Sequence, residues 1–457
     1  MHPRTVRNLL ICIAFACMAA LPGAARAEDA ISLDLATARV VAIQAIAEEN
    51  FPLARAIADG LLQADPDDYD ALMILAAAQS GLGADPAAAA AAARAFRAAK
   101  TDPQRAQAAR LAAAARFRGG NYMRSEWWLR RAANAAEDPT LRQLIGAEFV
   151  KVRRANPLTL EASLSFAPSS NVNNGSSSDT VYIWDLPFTL SPDAQALSGY
   201  EATLGLGLGY RLSESATHLT EFGGTLFGRF YALSSEAKRA APDADAGDYS
   251  FGVVEAFLSH RQILFPTIGS SGVQALVGQN WYGGDPLTRY ARLTLSQDMR
   301  LGERTLARVQ ASAEHQDGLR GDDDTRIHGL DGTVTHLLGR GDVIRLSMGA
   351  RRARSSDVTL EYDAVRGGLR YALAAPVLGA DLSLELSAEA RDYDVTPYGT
   401  DGRRDRTIAA GVTAVMTQVE YFGFSPSVTV EASRTTSNIS LYERESLGLR
   451  LGFRSNF

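Results

Sequence analysis

The chain has 457 residues and a formal net charge of −6, from 46 lysines and arginines against 52 aspartates and glutamates. Residues 28–157 contain sixteen basic and sixteen acidic residues, and residues 158–457 contain 27 basic and 36 acidic residues. Because neither part is basic, we expect no nucleic-acid partner. Only three of the basic residues are lysines, namely Lys100, Lys151 and Lys238.

The first 27 residues have the pattern of a secretory signal peptide. Arg4 and Arg7 precede an apolar run over residues 9–21, and residues 25–27, Ala-Arg-Ala, offer a small-residue cleavage site. The apolar run is too short to span a bilayer. Both cysteines lie in this segment, so residues 28–457 contain no thiol for a disulfide or a thiolate metal site.

Residues 28–157 are predicted to form a periplasmic domain of helical repeats. Asp-Pro dipeptides at residues 65–66, 102–103 and 138–139 are spaced 37 and 36 residues apart, close to the roughly 34-residue period of tetratricopeptide arrays. Each proline is expected to open the next helix pair, and Gly83 and Gly120 to lie in the turns within pairs. We predict about three degenerate tetratricopeptide-like repeats, which stack into a curved peptide-binding surface. A structural spacer is the alternative.

Residues 158–457 are predicted to form about fourteen amphipathic strands. Leu382, Leu384 and Leu386 alternate with polar and charged residues, so this segment has one apolar and one polar face. In a soluble sandwich the apolar faces form a core, whereas in an outer-membrane barrel they contact lipid. The predicted strands lie near residues 158–167, 198–211, 217–232, 249–262, 271–282, 287–299, 304–316, 325–338, 342–354, 362–374, 380–392, 405–418, 424–436 and 443–457.

The predicted connections alternate between short and long. This alternation is typical of outer-membrane barrels, which have short periplasmic turns and long extracellular loops. An even number of strands also places the first and the last residue of the barrel on the same, periplasmic side of the membrane. The short connections are residues 213–216, 300–304, 338–341 and 420–423; the long ones are residues 168–197, 233–248, 317–324, 355–361 and 393–404; residues 283–286 are a short exception on the loop side.

The last predicted strand ends on an aromatic residue. Leu449, Leu451, Phe453 and Phe457 share one face of it, which resembles the signal that the outer-membrane barrel-insertion machinery reads. A soluble β-domain needs no such signal. We therefore expect a monomeric antiparallel outer-membrane β-barrel, surrounded by outer-membrane lipid, with the helical domain in the periplasm.

The sequence contains no recognisable catalytic motif. HExxH, GxSxG and glycine-rich phosphate loops are all missing from it. His315 with Asp317, or His328 with Asp331, would suit a catalytic pair, but the polar lumen of a barrel accounts for them. The acidic residues 322–324 offer oxygen ligands for calcium without the spacing of an EF-hand. We predict that the protein is not an enzyme and has no cofactor or metal site.

Several arginines are predicted to face the barrel lumen. Arg345, Arg366 and Arg370 either bias a channel toward anions or pair with Glu385 and Glu389 across the wall. The second interpretation is the more ordinary one.

Two segments resemble motifs of the surface lipoprotein assembly modifiers, the Slam family. Residues 166–176 (FAPSSNVNNGS) resemble the motif that opens the barrel of that family, and residues 433–444 (SRTTSNISLYER) resemble its closing motif. The organisation of the mature chain is also similar, with a periplasmic tetratricopeptide domain before a fourteen-stranded barrel.

The resemblance implies an outer-membrane translocator. Its clients would be surface lipoproteins or secreted haem- or metal-capturing proteins, received by the helical domain and passed through the lumen or a weakened seam between the first and last strands. Glycines weaken a strand, although they are also ordinary where a barrel wall curves. The alternatives are a passive porin with a periplasmic protein-binding module and a structural scaffold. The candidate client-binding or seam residues are Asn171, Asn173, Asn174, Gly175, Gly448 and Gly452.

Overall fold

The computed structural model describes residues 34–184, 186–321, 323–419 and 424–455, apart from the side chains of residues 265, 424, 454 and 455. The predicted signal peptide lies outside the described residues, as do Phe457 and the connection at 420–423. Within the described residues, no helix has the length and apolar character needed to cross a membrane. The helices are α1 (Leu35–Ala47), α2 (Phe51–Ala64), α3 (Tyr69–Gly81), α4 (Asp85–Ala98), α5 (Asp102–Arg118), α6 (Tyr122–Ala135), α7 (Pro139–Ala155) and α8 (Ser235–Ala240).

The starts and turns of the helices follow from local sequence. Asp and Asn side chains accept hydrogen bonds from the first backbone amides of α1, α2, α3, α6 and α7, and Thr101 forms a capping box at α5. Gly83 and Gly120 have φ values of 74° and 72°, which glycine adopts without strain. Pro103 and Pro139 lie in the first turns of their helices. The prediction that Pro66 also opens a helix is wrong, because α3 begins only at Tyr69.

The helical region is tetratricopeptide-like, with three helix pairs (α1/α2, α3/α4, α5/α6) followed by α7. Each helix packs against the next along the chain. Its core consists largely of alanine: Ala54, Ala76, Ala92, Ala112 and Ala132 are completely buried. Such small side chains let neighbouring helices approach closely, so the alanine-rich composition sets tight helix packing.

Fourteen strands form one closed antiparallel barrel in the order β1-β16-β15-β14-β13-β12-β11-β10-β9-β8-β7-β6-β5-β4. All fourteen lie at predicted positions. Two further strands, β2 and β3, form a hairpin in the first loop. The strands are β1 (Leu158–Ser169), β2 (Thr180–Ile183), β3 (Leu186–Thr189), β4 (Gly199–Glu214), β5 (His218–Leu233), β6 (Phe251–Phe265), β7 (Gly269–Tyr282), β8 (Asp285–Gly302), β9 (Thr305–Gly318), β10 (Asp324–Leu337), β11 (Val343–Ser355), β12 (Tyr362–Ala372), β13 (Asp381–Tyr393), β14 (Arg403–Val415), β15 (Phe424–Ser437) and β16 (Arg444–Ser455).

The register places apolar and polar side chains on opposite faces of the wall. Leu386 lies opposite Leu369 on one side and Ala410 on the other, and its side chain is 52% exposed. Leu346, with 51% exposure, belongs to the same outer face. Leucines exposed side by side on neighbouring strands are typical of the outer face of a membrane barrel, which is apolar where it contacts lipid.

The connections separate into two ends of the barrel. One end, which we call the turn end, carries the junction with α7 and connections of two to eight residues, the longest being residues 373–380 and 416–423. The other, the loop end, carries the three longest connections, residues 170–198, 234–250 and 394–402, and one two-residue turn, Gly283-Gly284, between β7 and β8. Both glycines have positive φ, 63° and 84°, as a tight hairpin turn requires. The first loop, residues 170–198, is the longest.

The helical domain joins the barrel through only two residues. Asn156 and Pro157 separate α7 from β1. The Arg211 guanidinium of β4 donates hydrogen bonds to the carbonyl oxygens of Arg154, at 2.6 Å, and Asn156, while the Asn156 amide donates to the buried Glu126 carboxylate at 2.8 Å. These bonds hold the end of α7 against β4, beside the start of β1, at the turn end.

Asp68 provides a test of how the helical domain is stabilised. Its carboxylate accepts the Asp70 and Ala71 amides at the start of α3 and forms an ion pair with Arg39 of α1. Burial alone would raise the pKa of the Asp68 carboxyl, but the Arg39 guanidinium and the Ala71 amide outweigh it, so the pKa lies below its ordinary value. Stability from this group is therefore complete above about pH 4 and is lost as pH falls through the lowered pKa.

We expect Asp68→Ala to destabilise the helical domain by about 1–2 kcal/mol, because both the helix cap and the ion pair are lost. Asp68→Asn keeps the cap and should cost less. Loss of the helical circular dichroism signal on heating the full-length protein measures both effects. Asp67→Ala, at an exposed neighbouring acid, is the control, and equal melting of Asp67→Ala and Asp68→Ala would contradict the assignment.

Candidate functional site at the barrel seam

The seam, the boundary between β1 and β16, has fewer paired positions than the other edge of the same strand. β1 pairs with β4 at every position from Leu158 to Ser169. Pro168 contributes no amide N–H to either neighbour. Within the described residues, β1 pairs with β16 at three positions: Ser165 opposite Gly452, Phe166 opposite Leu451, and Ser169 opposite Gly448.

The two predicted seam glycines lie where β1 meets β16. A Cβ atom added to Gly452 would lie 3.6 Å from Ser165 Cβ and 3.5 Å from the Leu164 carbonyl oxygen. Gly448 lies opposite Ser169 on one side and Glu431 on the other. The structure thus brings both glycines to the seam, with their alternating neighbours Leu449, Leu451 and Phe453 on the lipid face, 41%, 51% and 60% exposed.

An ion pair on the lumenal side reaches across β1. Arg450 of β16 lies 2.7 Å from Glu431 of β15 and 3.8 Å from Glu201 of β4. Arg229 of β5 lies 3.7 Å from the same Glu201. Arg450 therefore connects the two strands that flank β1, which stabilises the seam without adding backbone pairs.

Hydrogen bonds between the first and last loops close the seam at the loop end. The last loop comprises residues 438–443. The Ser176 hydroxyl donates to the Ser440 carbonyl at 2.9 Å, and the Ser177 amide donates to the Glu443 carbonyl at 2.9 Å. The Ser440 hydroxyl donates in turn to the Thr180 carbonyl at 3.3 Å. We call these contacts the inter-loop bridge.

The predicted asparagines fold the first loop onto itself. The Asn173 amide donates to the carbonyl oxygens of Asp193, at 2.8 Å, and Gln195, at 2.7 Å, and its oxygen accepts the Leu197 amide at 2.9 Å. Asn171 exchanges two hydrogen bonds of 2.9 Å with the Gly175 backbone. These contacts place Ser176 and Ser177 beside the last loop.

Gly175 and Asn174 have backbone reasons for their identities. A Cβ on Gly175 would overlap the Gln195 carbonyl, so no larger residue fits there. Asn174 has a φ of 54°, a left-handed conformation that asparagine tolerates better than most residues. The motif is therefore a structural support for the inter-loop bridge.

The last loop is also attached to the loop before it. The Asn438 side chain accepts the Arg404 amide at 2.7 Å and donates to the Gly402 carbonyl at 3.0 Å. The Arg403 guanidinium lies between the rings of Tyr393 and Tyr442, 3.6 and 3.8 Å from their centroids, an arrangement typical of cation–π contacts. The last loop is thus held on both sides.

The predicted lumenal ion pairs form with different partners. Arg366 pairs with Asp331 at 2.6 Å, and Glu389 pairs with Arg391 at 2.6 Å. Arg345 donates to the Thr335 hydroxyl at 3.3 Å. The expected pairing of these arginines with Glu385 and Glu389 is wrong: Arg366 reaches Asp331 two strands away, and Glu389 is taken by Arg391 of its own strand.

Of the two candidate His–Asp pairs, the structure brings His315 and Asp317 together but not His328 and Asp331. His315 Nε2 lies 3.0 Å from Asp317 Oδ1 on the outer face. With Asp324, these side chains form a group of potential ligand atoms within 4.8 Å of one another. His328 and Asp331 point to opposite faces of β10, because their positions differ by three and side chains alternate along a strand. All three members of the first group are exposed, and exposed groups of this kind are common without a metal.

No protein-family model and no curated protein matches the chain. Part of it is similar to the Yersinia enterocolitica type III secretion translocator chaperone SycD, with 15% identity over 27% of this chain and 88% of that chain, and a TM-score of 0.25. It is also similar to a bacterial polysaccharide outer membrane secretin (9% identity, 65% and 98% of the chains, TM-score 0.35). It is similar as well to an anion-selective porin from Comamonas acidovorans, with 11% identity over 65% of this chain and 99% of that chain, and a TM-score of 0.32.

These likenesses are remote, so the assignment rests on the chain's own strands. A closed antiparallel barrel pairs its backbone groups between strands and presents an apolar outer face, which is what a wall in hydrocarbon requires. The protein is an outer-membrane β-barrel with a tetratricopeptide-like helical domain. Membership of the surface lipoprotein assembly modifiers stays a prediction of the sequence motifs.

Asn173 tests whether the first loop depends on the asparagine motif. Asn173→Ala removes hydrogen bonds from four backbone groups, so we expect the loop to open more often and chymotrypsin to cleave the purified protein about tenfold faster. The exposed sites for cleavage are Tyr182, Trp184 and Phe188. Asn174→Gly, which keeps the left-handed backbone, is the matched control. Equal cleavage of both variants would contradict this role.

Proposed function

We propose that this protein moves client proteins across the outer membrane and that the seam is where the barrel opens for them. The observation that carries the proposal is that the described residues of β1 and β16 pair at three positions, whereas β1 pairs continuously with β4. Separating β1 from β16 breaks fewer backbone hydrogen bonds than separating any strand at a continuous ladder, and each bond is costly to lose in lipid.

The inter-loop bridge and Arg450 keep this seam closed at rest. Both consist of side-chain and loop contacts, which form and break without changing the register of a strand. A client that replaced these contacts would open the seam while leaving the other strand pairs intact. This division between a continuous wall and a separable edge suits a translocator better than a rigid pore.

The helical domain has a position suited to receiving clients. Arg211 and the two-residue connection hold α7 next to β1, which is one edge of the seam. We propose that the helical surface binds the client in the periplasm and delivers it to this edge. The clients suggested by the sequence resemblance are surface lipoproteins or secreted haem- or metal-capturing proteins.

Deleting residues 28–157 while retaining the signal segment tests the receiving role. We expect the barrel to insert but the client to accumulate in the periplasm, because the binding surface is gone. Surface proteomics of the native bacterium, comparing strains with the full gene, the truncated gene and no gene, measures this and identifies the client. An unchanged surface proteome in the truncated strain would contradict the receiving role.

A disulfide across the seam tests whether it opens. Residues 28–457 contain no cysteine, and a Cβ at position 452 would lie 3.6 Å from Ser165 Cβ, within the range that a disulfide requires. We expect Ser165→Cys with Gly452→Cys to abolish client export under oxidising conditions, and reductant to restore it. Appearance of the client on intact cells is the measurement.

The control for the seam disulfide is a second double-cysteine variant that also contains Gly452→Cys. Ser427→Cys with Gly452→Cys joins β15 to β16, which pair continuously, so export should continue after oxidation. Export that continues with the seam locked would show that clients pass through the lumen. Loss of export in both double variants would show that the position 452 substitution itself is harmful.

A passive porin is the second candidate, supported by the lumenal arginines. Arg345 and Arg370 face the lumen, and within the described residues neither forms an ion pair with a carboxylate. Arginines in this position favour anions. A steady anion current through the purified protein in planar bilayers would favour the porin, whereas a mostly closed barrel would favour the translocator.

A further inference from the structure

The outer face of the barrel contains an apolar groove across β5 to β10. It has a volume of about 870 Å³, within the range of small-ligand sites. Its floor is formed by Ala256, Ala275, Ala291 and Ala313, which lie on four successive strands. Its walls are formed by larger outward side chains: Phe222, Leu258, Val277 and Leu293.

The groove ends in a polar rim that contains one arginine. The strand register places Ala313 opposite His328, and Ala291 opposite His315, which lies opposite Arg326. Arg326 and His315 lie within three residues of the loop end of their strands. The groove therefore changes from apolar to polar as it approaches the loop end, with Arg326 at the boundary.

Arg326 is the rim group available to a ligand. One paired row further out, Asp317 lies opposite Asp324, but Asp317 is occupied by His315 at 3.0 Å. Arg326 is exposed and forms no ion pair within the described part of the chain. A guanidinium in this position offers planar paired donors that match a phosphate.

The chemistry of the rim decides what occupies the groove. Lipid tails are as apolar as the alanine floor, so the groove alone selects no ligand. A lipid whose phosphate binds Arg326 gains a charge-assisted hydrogen bond that an acyl chain alone does not make. A second copy of the chain is less suitable, because barrels inserted in the same direction would bring the Arg326 guanidinium groups of the two rims together at the same depth.

We propose that this groove is a binding site for a phosphate-bearing lipid with several acyl chains, its tails on the alanines and its phosphate on Arg326. The loop end faces outward in the proposed function, which places the site in the outer leaflet. Binding to purified protein does not depend on client export, so failure of either proposal is distinguishable from failure of the other.

The test uses full-length protein purified in mild detergent and stripped of lipid. Native mass spectrometry measures binding of hexa-acylated diphosphoryl lipid A, and phosphatidylglycerol is titrated in parallel as a phosphodiester with two chains. We expect lipid A to bind more tightly. Arg326→Gln should weaken lipid A binding about tenfold, because one charge-assisted contact is lost. Ala291→Phe should weaken binding of both lipids by filling the groove.

Matched variants lie elsewhere on the same outer face. Arg404→Gln removes an exposed arginine at the loop end of β14, and Ala410→Phe adds the same bulk on that strand; both should bind lipid A like the wild type. Equal lipid A binding by Arg326→Gln and Arg404→Gln would overturn the phosphate assignment. A dimer that Ala291→Phe dissociates and Ala410→Phe preserves would overturn the lipid and assign the groove to a second copy.

Discussion

Closure of the barrel is the constraint on which the rest of the structure depends. Hydrocarbon offers no hydrogen-bond partners, so each backbone amide and carbonyl within it must be paired by another strand. Thirteen of the fourteen boundaries between barrel strands meet this requirement with ladders along most of their length. The fourteenth, between β1 and β16, is paired at three described positions, and Arg450 and the inter-loop bridge add side-chain and loop contacts that hold this edge closed.

The parts of the molecule around the seam support one another. Asn173 fixes the first loop, the fixed loop presents Ser176 to the last loop, and Asn438 and Arg403 hold the last loop in turn. At the turn end, Arg211 holds α7 beside β1. Each contact is modest alone, since a hydrogen bond contributes about 0.5–1.5 kcal/mol net. Because the contacts act in series, a change at one position alters the closure of the whole edge.

Local pattern was sufficient to predict the strands, because side chains that alternate between lipid and lumen leave a period of two in the sequence. Leu382 to Leu386 illustrates this. The same reasoning predicted the turns at Gly83 and Gly120. Reasoning from local sequence misplaced the start of α3 at Pro66, because the side chain of Asp68 caps the helix and α3 begins at Tyr69.

Long-range contacts left no local signal. Ser176 and Ser440 are 264 residues apart, and nothing in the sequence near either serine indicates the other. The lumenal pairings failed for a related reason: Arg366 is opposite Glu389 in the register but reaches Asp331, because a flexible side chain selects among several nearby carboxylates. The candidate asparagines were found through family resemblance, whereas the structure assigns them a supporting role within the first loop.

The scarcity of lysine has a practical consequence. Lys100 and Lys151 are exposed on the helical domain at the turn end, whereas Lys238 is exposed on α8 at the loop end. The outer membrane therefore separates the three primary amines of these side chains into two sets. An amine-reactive reagent that cannot cross that membrane modifies only one set in living cells, so the native chain reports its own orientation without an introduced tag.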